Sequence, residues 1–295
     1  MTTPTASRDL VRGILRRHAR SFSWAARLLP TELRWDATAL YAWCRRCDDA
    51  VDHAPDAASA RAAVARLRGE LDEVYGTREL ADPMLAAFQE VVRRRALPRG
   101  PADELLDGMQ MDLGRVRYAT FTELLVYCQR VAGTVGLLMA HMMGVRDAAT
   151  LGRAADLGIA MQLTNICRDV VEDEARDRVY LPDELLGDAV SPRANGAATA
   201  RAVAELLRRA DVYYRSADRG IRSLPPSCAL AVSAARLIYA DIGAVLARRR
   251  FDVTRGRAVV SPVRKAWLVV RAALETAAAR LRTAVSPGVS RRALS

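Results

Sequence analysis

The residues best suited to chemistry fall in two clusters. Cys47-Asp48-Asp49-Ala50-Val51-Asp52 and, more than a hundred residues later, Asn165-Ile166-Cys167-Arg168-Asp169-Val170-Val171-Glu172-Asp173 each place Asp at i and i+4. Residues four apart share a helix face, so Asp48 with Asp52 and Asp169 with Asp173 form two carboxylate pairs, and Asn165 extends the second by a turn. Such hard oxygen ligands suit Mg²⁺ or Mn²⁺ rather than Zn²⁺. Mg²⁺ bound this way keeps waters and completes its shell with substrate phosphate oxygens. Arg45, one turn before Asp48, and Arg168, beside Asp169, add planar donor forks matched to phosphate. Metal and arginine together predict a diphosphate site.

Asp pairs at this spacing also occur on ordinary solvated faces. Here Leu40-Tyr41-Ala42-Trp43-Cys44 precedes the first stripe and Leu157 to Leu163 the second, so both emerge from apolar stretches. A carboxylate buried there without a compensating cation would be costly, which favours metal or arginine partners.

Two helices facing one another must position these stripes. The chain has 295 residues, 51% of them apolar and only 5% aromatic. Nearly every stretch carries helical rather than alternating periodicity and no segment reads as a strand, so the fold class is all-α. Helices are predicted at 8–20, 31–54, 57–75, 80–96, 101–114, 121–143, 147–175, 196–223, 227–250 and 263–285. Proline near many of these boundaries punctuates them as helix starts and stops should. Residues 1–285 are expected to form a single domain and 286–295 a disordered tail, with 187–196 the most loop-like internal stretch.

The formal net charge is +11, and of the 45 basic residues Lys265 is the single lysine. Arginine is spread along the whole chain without a nucleic-acid motif or an aromatic-interleaved basic patch, which argues against nucleic acid as partner. An anionic surface or polyanionic substrate remains. The five cysteines, at 44, 47, 128, 167 and 228, form no secreted-type framework and read as small core residues of a reducing cytoplasm. Residues 1–7 lack the apolar core of a signal peptide, and the uncharged run 131–145 is short for a bilayer span. The expected location is the cytoplasm, with peripheral contact to the inner face of the membrane allowed for.

Tyr127-Cys128-Gln129-Arg130-Val131-Ala132-Gly133-Thr134-Val135-Gly136 puts two glycines inside a predicted helix, each at roughly 1 kcal/mol against alanine. Close helix packing and a small-residue wall beside an apolar ligand both account for this. Ala25, Ala26, Ala37 and Thr38 are likewise small and would leave room for a long, water-free slot.

The chain resembles the squalene and phytoene synthase family, the head-to-head branch of trans-isoprenyl diphosphate synthases, over about residues 14–270. The resemblance rests on Tyr41 to Asp52, Gly108-Met109-Gln110-Met111-Asp112-Leu113, Tyr127 to Gly136, Gln162 to Asp169, Arg178-Val179-Tyr180-Leu181-Pro182 and Arg257 to Lys265. Within the family it is nearest the bacterial phytoene-forming members. It implies an isoprenoid synthase helical bundle with a central active-site cavity. Mg²⁺ would be held by Asp48, Asp52, Asp169 and Asp173, with Asn165 in the ligand set, and diphosphates by Arg45, Arg168, Arg257 and Lys265. Tyr41, Tyr127, Gln162 and Asn165 would line the substrate cavity, with Tyr180 and Tyr239 near the reacting carbons.

The implied reaction joins two geranylgeranyl diphosphates through a cyclopropylcarbinyl diphosphate to phytoene, without NADPH. The alternatives are a C30 synthase using two farnesyl diphosphates, a non-catalytic relative, and a head-to-tail prenyltransferase or cyclase. The sequence leaves the oligomeric state open. Two departures concern the first helix. Ala19-Arg20-Ser21-Phe22 lacks the usual Ser-Lys, and Ser23-Trp24 is as similar to the farnesyl-using members.

Overall fold

The computed structural model describes residues 22–114, 116–187 and 191–285. The predicted helix 8–20, the departure at 19–21, the side chains of Phe22 and Ser23 and the tail 286–295 lie outside the described residues. The described helices are α1 (Phe22–Ala26), α2 (Thr31–Asp52), α3 (Ala57–Tyr75), α4 (Pro83–Arg95), α5 (Gly100–Met111), α6 (Phe121–Cys128), α7 (Thr134–Met142), α8 (Ala148–Glu174), α9 (Asp183–Leu186), α10 (Gly196–Ile221), α11 (Pro226–Arg248) and α12 (Pro262–Val285).

Side-chain caps set many of the starts. Asp56, Asp82, Thr120, Asp147 and Asn195 each accept a backbone N–H from the first turn of α3, α4, α6, α8 and α10 respectively. Asp82 explains why α4 begins at Pro83 rather than at the expected residue 80: its carboxylate accepts from Met84 and Leu85.

Two expectations are corrected. The predicted helix 121–143 is interrupted by a π-helical turn, Gln129–Gly133. Secondly, strands do occur: β1 (Val116–Arg117) pairs in parallel with β2 (Arg178–Val179). Each has two residues, too few for alternation to show in the sequence. Their pairing ties the loop after α5 to the loop after α8, and so brings Asp112 to Tyr180.

Two apolar clusters build the interior. One, around α2 to α5, contains Trp43 stacked on Phe88 at 4.7 Å. It is locked by Asp36, fully buried on α2, which accepts from Arg94 and, at 2.7 Å, from Arg95 on α4. The other surrounds α8, which packs against α10 and α11, with Leu163 fully buried in it. Glycines permit the closest crossings. A Cβ on Gly158 of α8 would lie 2.1 Å from the carbonyl oxygen of Ala132, and one on Gly136 would lie 2.2 Å from that of Ala154. Helix packing is therefore what Gly136 serves on one side, while a Cβ on Gly133 would meet the Gln129 side chain of its own π-turn. Phe121–Met142 and Pro226–Arg248 are long and apolar enough to cross a bilayer; both stretches instead contribute to the core clusters and to the wall of an internal cavity.

Candidate active site

A cavity of about 340 Å³ lies between the two clusters, walled by α1, α2, α5, the π-turn, α7, α8, α10 and α11. Ala25, Ala26, Ala37 and Gly136 face it, together with Leu157 and Met161. Thr38 does not; its buried hydroxyl donates to the carbonyl of Arg34 at 2.6 Å.

A polar pocket of about 240 Å³ adjoins it, and Asp48, Met109, Gln162 and Asn165 line both. Its wall carries Asp52, Asp169 and Asp173, as the two stripes require, with Arg168, Tyr127 and Tyr180. It also carries Asp112, Arg176 and Arg178, which sequence reasoning did not assign a role. Asp112 and Arg178 nonetheless stand in two of the segments that carry the family resemblance, and that was the available signal.

The remaining expected residues divide. Tyr41 and Tyr239 line the apolar cavity, within electrostatic reach of one another. Arg257, from the loop before α12, reaches the polar pocket and donates to Asp169 through Nε at 2.8 Å. Arg45 is bonded to Asp49 and lines a neighbouring surface pocket with Asp52. Lys265 is buried in the first turn of α12 and lines neither the cavity nor the polar pocket.

Charge in the pocket is unevenly compensated. Asp52 accepts from Arg178 at 2.7 Å and Arg176 at 3.5 Å. Asp169 accepts from Arg168 Nε at 2.7 Å as well as from Arg257. Burial would raise the Asp169 carboxyl, but these two guanidiniums hold it below the usual carboxylate range. Asp48 and Asp173 have no guanidinium within ion-pair distance among the described residues. Burial pushes Asp48 up to about 7, with Asp52 and Asp112 adding to the rise against the pull of Arg45. Burial and the neighbouring Asp169 push Asp173 up to about 7 as well.

Asp112 accepts from Tyr180 at 2.6 Å and from Tyr127 at 2.8 Å. The two rings are stacked with centroids 5.0 Å apart. Burial raises both phenols far above their ordinary range, so they stay protonated and donate. Tyr41, on the cavity side, is pushed up to about 12 by burial.

The donor set fits Mg²⁺. It is all oxygen, two of its carboxylates lack a cation, and Asn165 Oδ1 is buried in the pocket wall with no hydrogen-bond partner. Among the described residues no three Asp, Glu, His or Cys side chains surround a single point. An ion here would take one or two carboxylates and complete its shell from water and phosphate, the arrangement Mg²⁺ prefers.

The sequence profile described as squalene/phytoene synthase matches residues 15–264. The chain belongs to the squalene/phytoene synthase family. A phytoene synthase of Pseudescherichia vulneris is 44% identical over 239 residues, covering 76% of this chain and 77% of that one. A phytoene synthase of Rhodobacter capsulatus is 38% identical over 280 residues, covering 92% and 83%. Among solved structures, a dehydrosqualene synthase superposes with a TM-score of 0.86 at 26% identity, over 93% of this chain and 98% of that one. This synthase family's helical fold is thus the fold of the chain, and its central cavity is the one adjoining the two Asp stripes.

Proposed function

We propose that this family member is a phytoene synthase, a prenyltransferase that joins two geranylgeranyl diphosphates head to head. The observation that carries this reading is the continuity of an apolar cavity with a pocket of carboxylates and guanidiniums, sharing Asp48, Gln162 and Asn165. One compartment accepts prenyl chains and the other their diphosphates. The C40 choice is supported by relatives named phytoene synthase at up to 44% identity and by Ala25, Ala26 and Ala37 in the cavity wall. The dehydrosqualene synthase likeness, at 26% identity, supports the C30 alternative more weakly.

Asp48, Asp52, Asp169, Asp173 and Asn165 would hold Mg²⁺. The bound ion would neutralise charge developing on the departing diphosphate. Arg168, Arg178 and Arg257 supply donors already directed at the pocket, so leaving-group charge meets fixed dipoles and guanidiniums. The allylic cation left behind is attacked by the second substrate's double bond, and loss of one proton closes the ring of the cyclopropylcarbinyl diphosphate. A second ionisation, rearrangement and loss of a second proton then yield phytoene. Leu157, Met161 and Gly136 exclude water that would quench these cations. Tyr127 and Tyr180 are neutral donors engaged by Asp112. They are therefore poor proton acceptors, and the departing diphosphate is the better base.

Product analysis tests the reading. Purified protein with Mg²⁺ and geranylgeranyl diphosphate, without NADPH, is expected to yield a C40 hydrocarbon. A C30 product from farnesyl diphosphate alone would overturn the C20 assignment, and no diphosphate release from either would overturn catalysis.

A further inference from the structure

The apolar cavity has a cation at the end remote from the carboxylates. Asn165, Gln162, Leu157, Ala154 and Arg153 lie along one face of α8 and all line it. At 1.5 Å per residue that wall runs ~18 Å from Asn165 to Arg153. The stem of Arg153 rests on Gly220 of α10, where an added Cβ would lie 2.7 Å from the Cβ of Arg153 and 3.4 Å from its Cδ. Met143, just after α7, and Ile221 and Leu224, at the end of α10, line the same end of the cavity.

Arg153 makes no ion pair or hydrogen bond among the described residues, so pairing does not account for a half-buried arginine beside an apolar cavity. Its chemistry suits an end wall, because the methylene stem covers apolar space while the guanidinium stays in water. Length decides what the wall measures. An extended chain advances ~1.2 Å per backbone bond, so a geranylgeranyl group, with sixteen carbons in line, reaches ~18 Å and a farnesyl group, with twelve, ~13 Å. With the diphosphate end beside Asn165, the shorter chain stops near Leu157 and the longer one at Arg153.

We infer that Arg153 is the end wall of the prenyl slot, and that the stretch beyond Leu157, lined by Ala154, Ala217 and Gly220, holds the fourth isoprene unit. Arg153 is thereby a specificity-determining residue that sets the upper limit of chain length from the end opposite the diphosphate. The small residues keep the stretch open, and Arg153 closes it. This rests on the prenyl diphosphate reading of the site and adds where along the slot chain length is read.

The test compares kcat/KM for diphosphate release from farnesyl, geranylgeranyl and geranylfarnesyl diphosphates, of three, four and five isoprene units, by the full chain with Mg²⁺. Ala154→Phe fills the stretch and should shift preference from four units toward three by at least ~tenfold. Leu224→Trp, in the loop beyond α10, should shift it the same way without a change inside a helix. Arg153→Ala should raise use of the five-unit substrate at least ~tenfold relative to the four-unit one. Inhibition by inorganic pyrophosphate should be unchanged in all three variants, because each lies a slot's length from the carboxylates. A preference unmoved by both filling variants, or no gain with five units in Arg153→Ala, would overturn the end wall and leave the synthase reading intact. A wild type that releases diphosphate from none of the three, or from the farnesyl compound alone, would instead overturn the proposed function, and the end wall with it.

Discussion

On α2 the carboxylate clamped by guanidiniums is the later of its pair, Asp52, held by Arg178 and Arg176. On α8 it is the earlier, Asp169, held by Arg168 and Arg257. The other member of each pair, Asp48 or Asp173, is pushed up to about 7. The pocket thus disposes of its negative charge in two ways, by arginine at one carboxylate of each stripe and by raised proton affinity at the other. Three of the four clamping arginines, Arg176, Arg178 and Arg257, come from segments outside the two helices. Metal with diphosphate would replace both devices at once, taking up the bare carboxylates and offering phosphate oxygens to the released guanidiniums.

The largest effect is expected at the bare carboxylates. Asp48→Ala and Asp173→Ala should each lower diphosphate release by roughly a thousandfold, the scale of removing a key electrostatic contact. Circular dichroism should show the helical content intact. Activity retained in both variants would sink the metal assignment and with it the distinction between bare and clamped carboxylates.

Next come the clamps. Arg257→Ala and Arg178→Ala should each weaken inhibition by inorganic pyrophosphate by roughly ten- to a hundredfold, as loss of a charge-assisted phosphate contact does. Their stability costs should differ. The Arg257 side chain is 55% exposed and that of Arg178 14%, so removing the first should cost about 0–1 kcal/mol and the second more. Pyrophosphate inhibition unchanged in both would leave the arginines as structural partners of Asp52 and Asp169 only.

The two stripes and most of the helices were legible because their signals are local: i, i+4 spacing, proline punctuation, and apolar runs before each Asp cluster. Asp112 and Arg178 were not assigned, because their place depends on a two-residue strand pair that joins segments sixty residues apart. Arg45 was expected at the diphosphate and is instead bonded to Asp49, one turn away on its own helix. That choice is made by side-chain rotamers, which spacing does not determine. The glycines of 127–136 were legible as an anomaly, and the structure gives both readings a share. Gly136 permits the close crossing of α7 on α8 and also faces the cavity, while a Cβ on Gly133 would meet the Gln129 side chain of its own π-turn.

The smallest expected effect concerns stability. A carboxyl with a folded pKa of about 7, as at Asp48 and Asp173, and an unfolded value near ~3.9 makes the folded state the better proton binder between those limits. Stability of the metal-free protein should therefore fall as pH rises from about 4 to about 7 and stay lower above. Asp48→Asn or Asp173→Asn removes the charge that the folded chain resists. Each should be more stable than the wild type at pH 8 by about 1–2 kcal/mol, after allowance for solvent screening of half-buried groups, and nearly equal to it at pH 4. Thermal unfolding in chelator at the two pH values reads this as a rise of a few degrees confined to the higher pH. Adding Mg²⁺ with pyrophosphate at pH 8 should reverse the order, because only the wild type then has the carboxylates to bind it. Variants whose advantage is the same at both pH values would show that packing rather than charge distinguishes the bare carboxylates from the clamped ones.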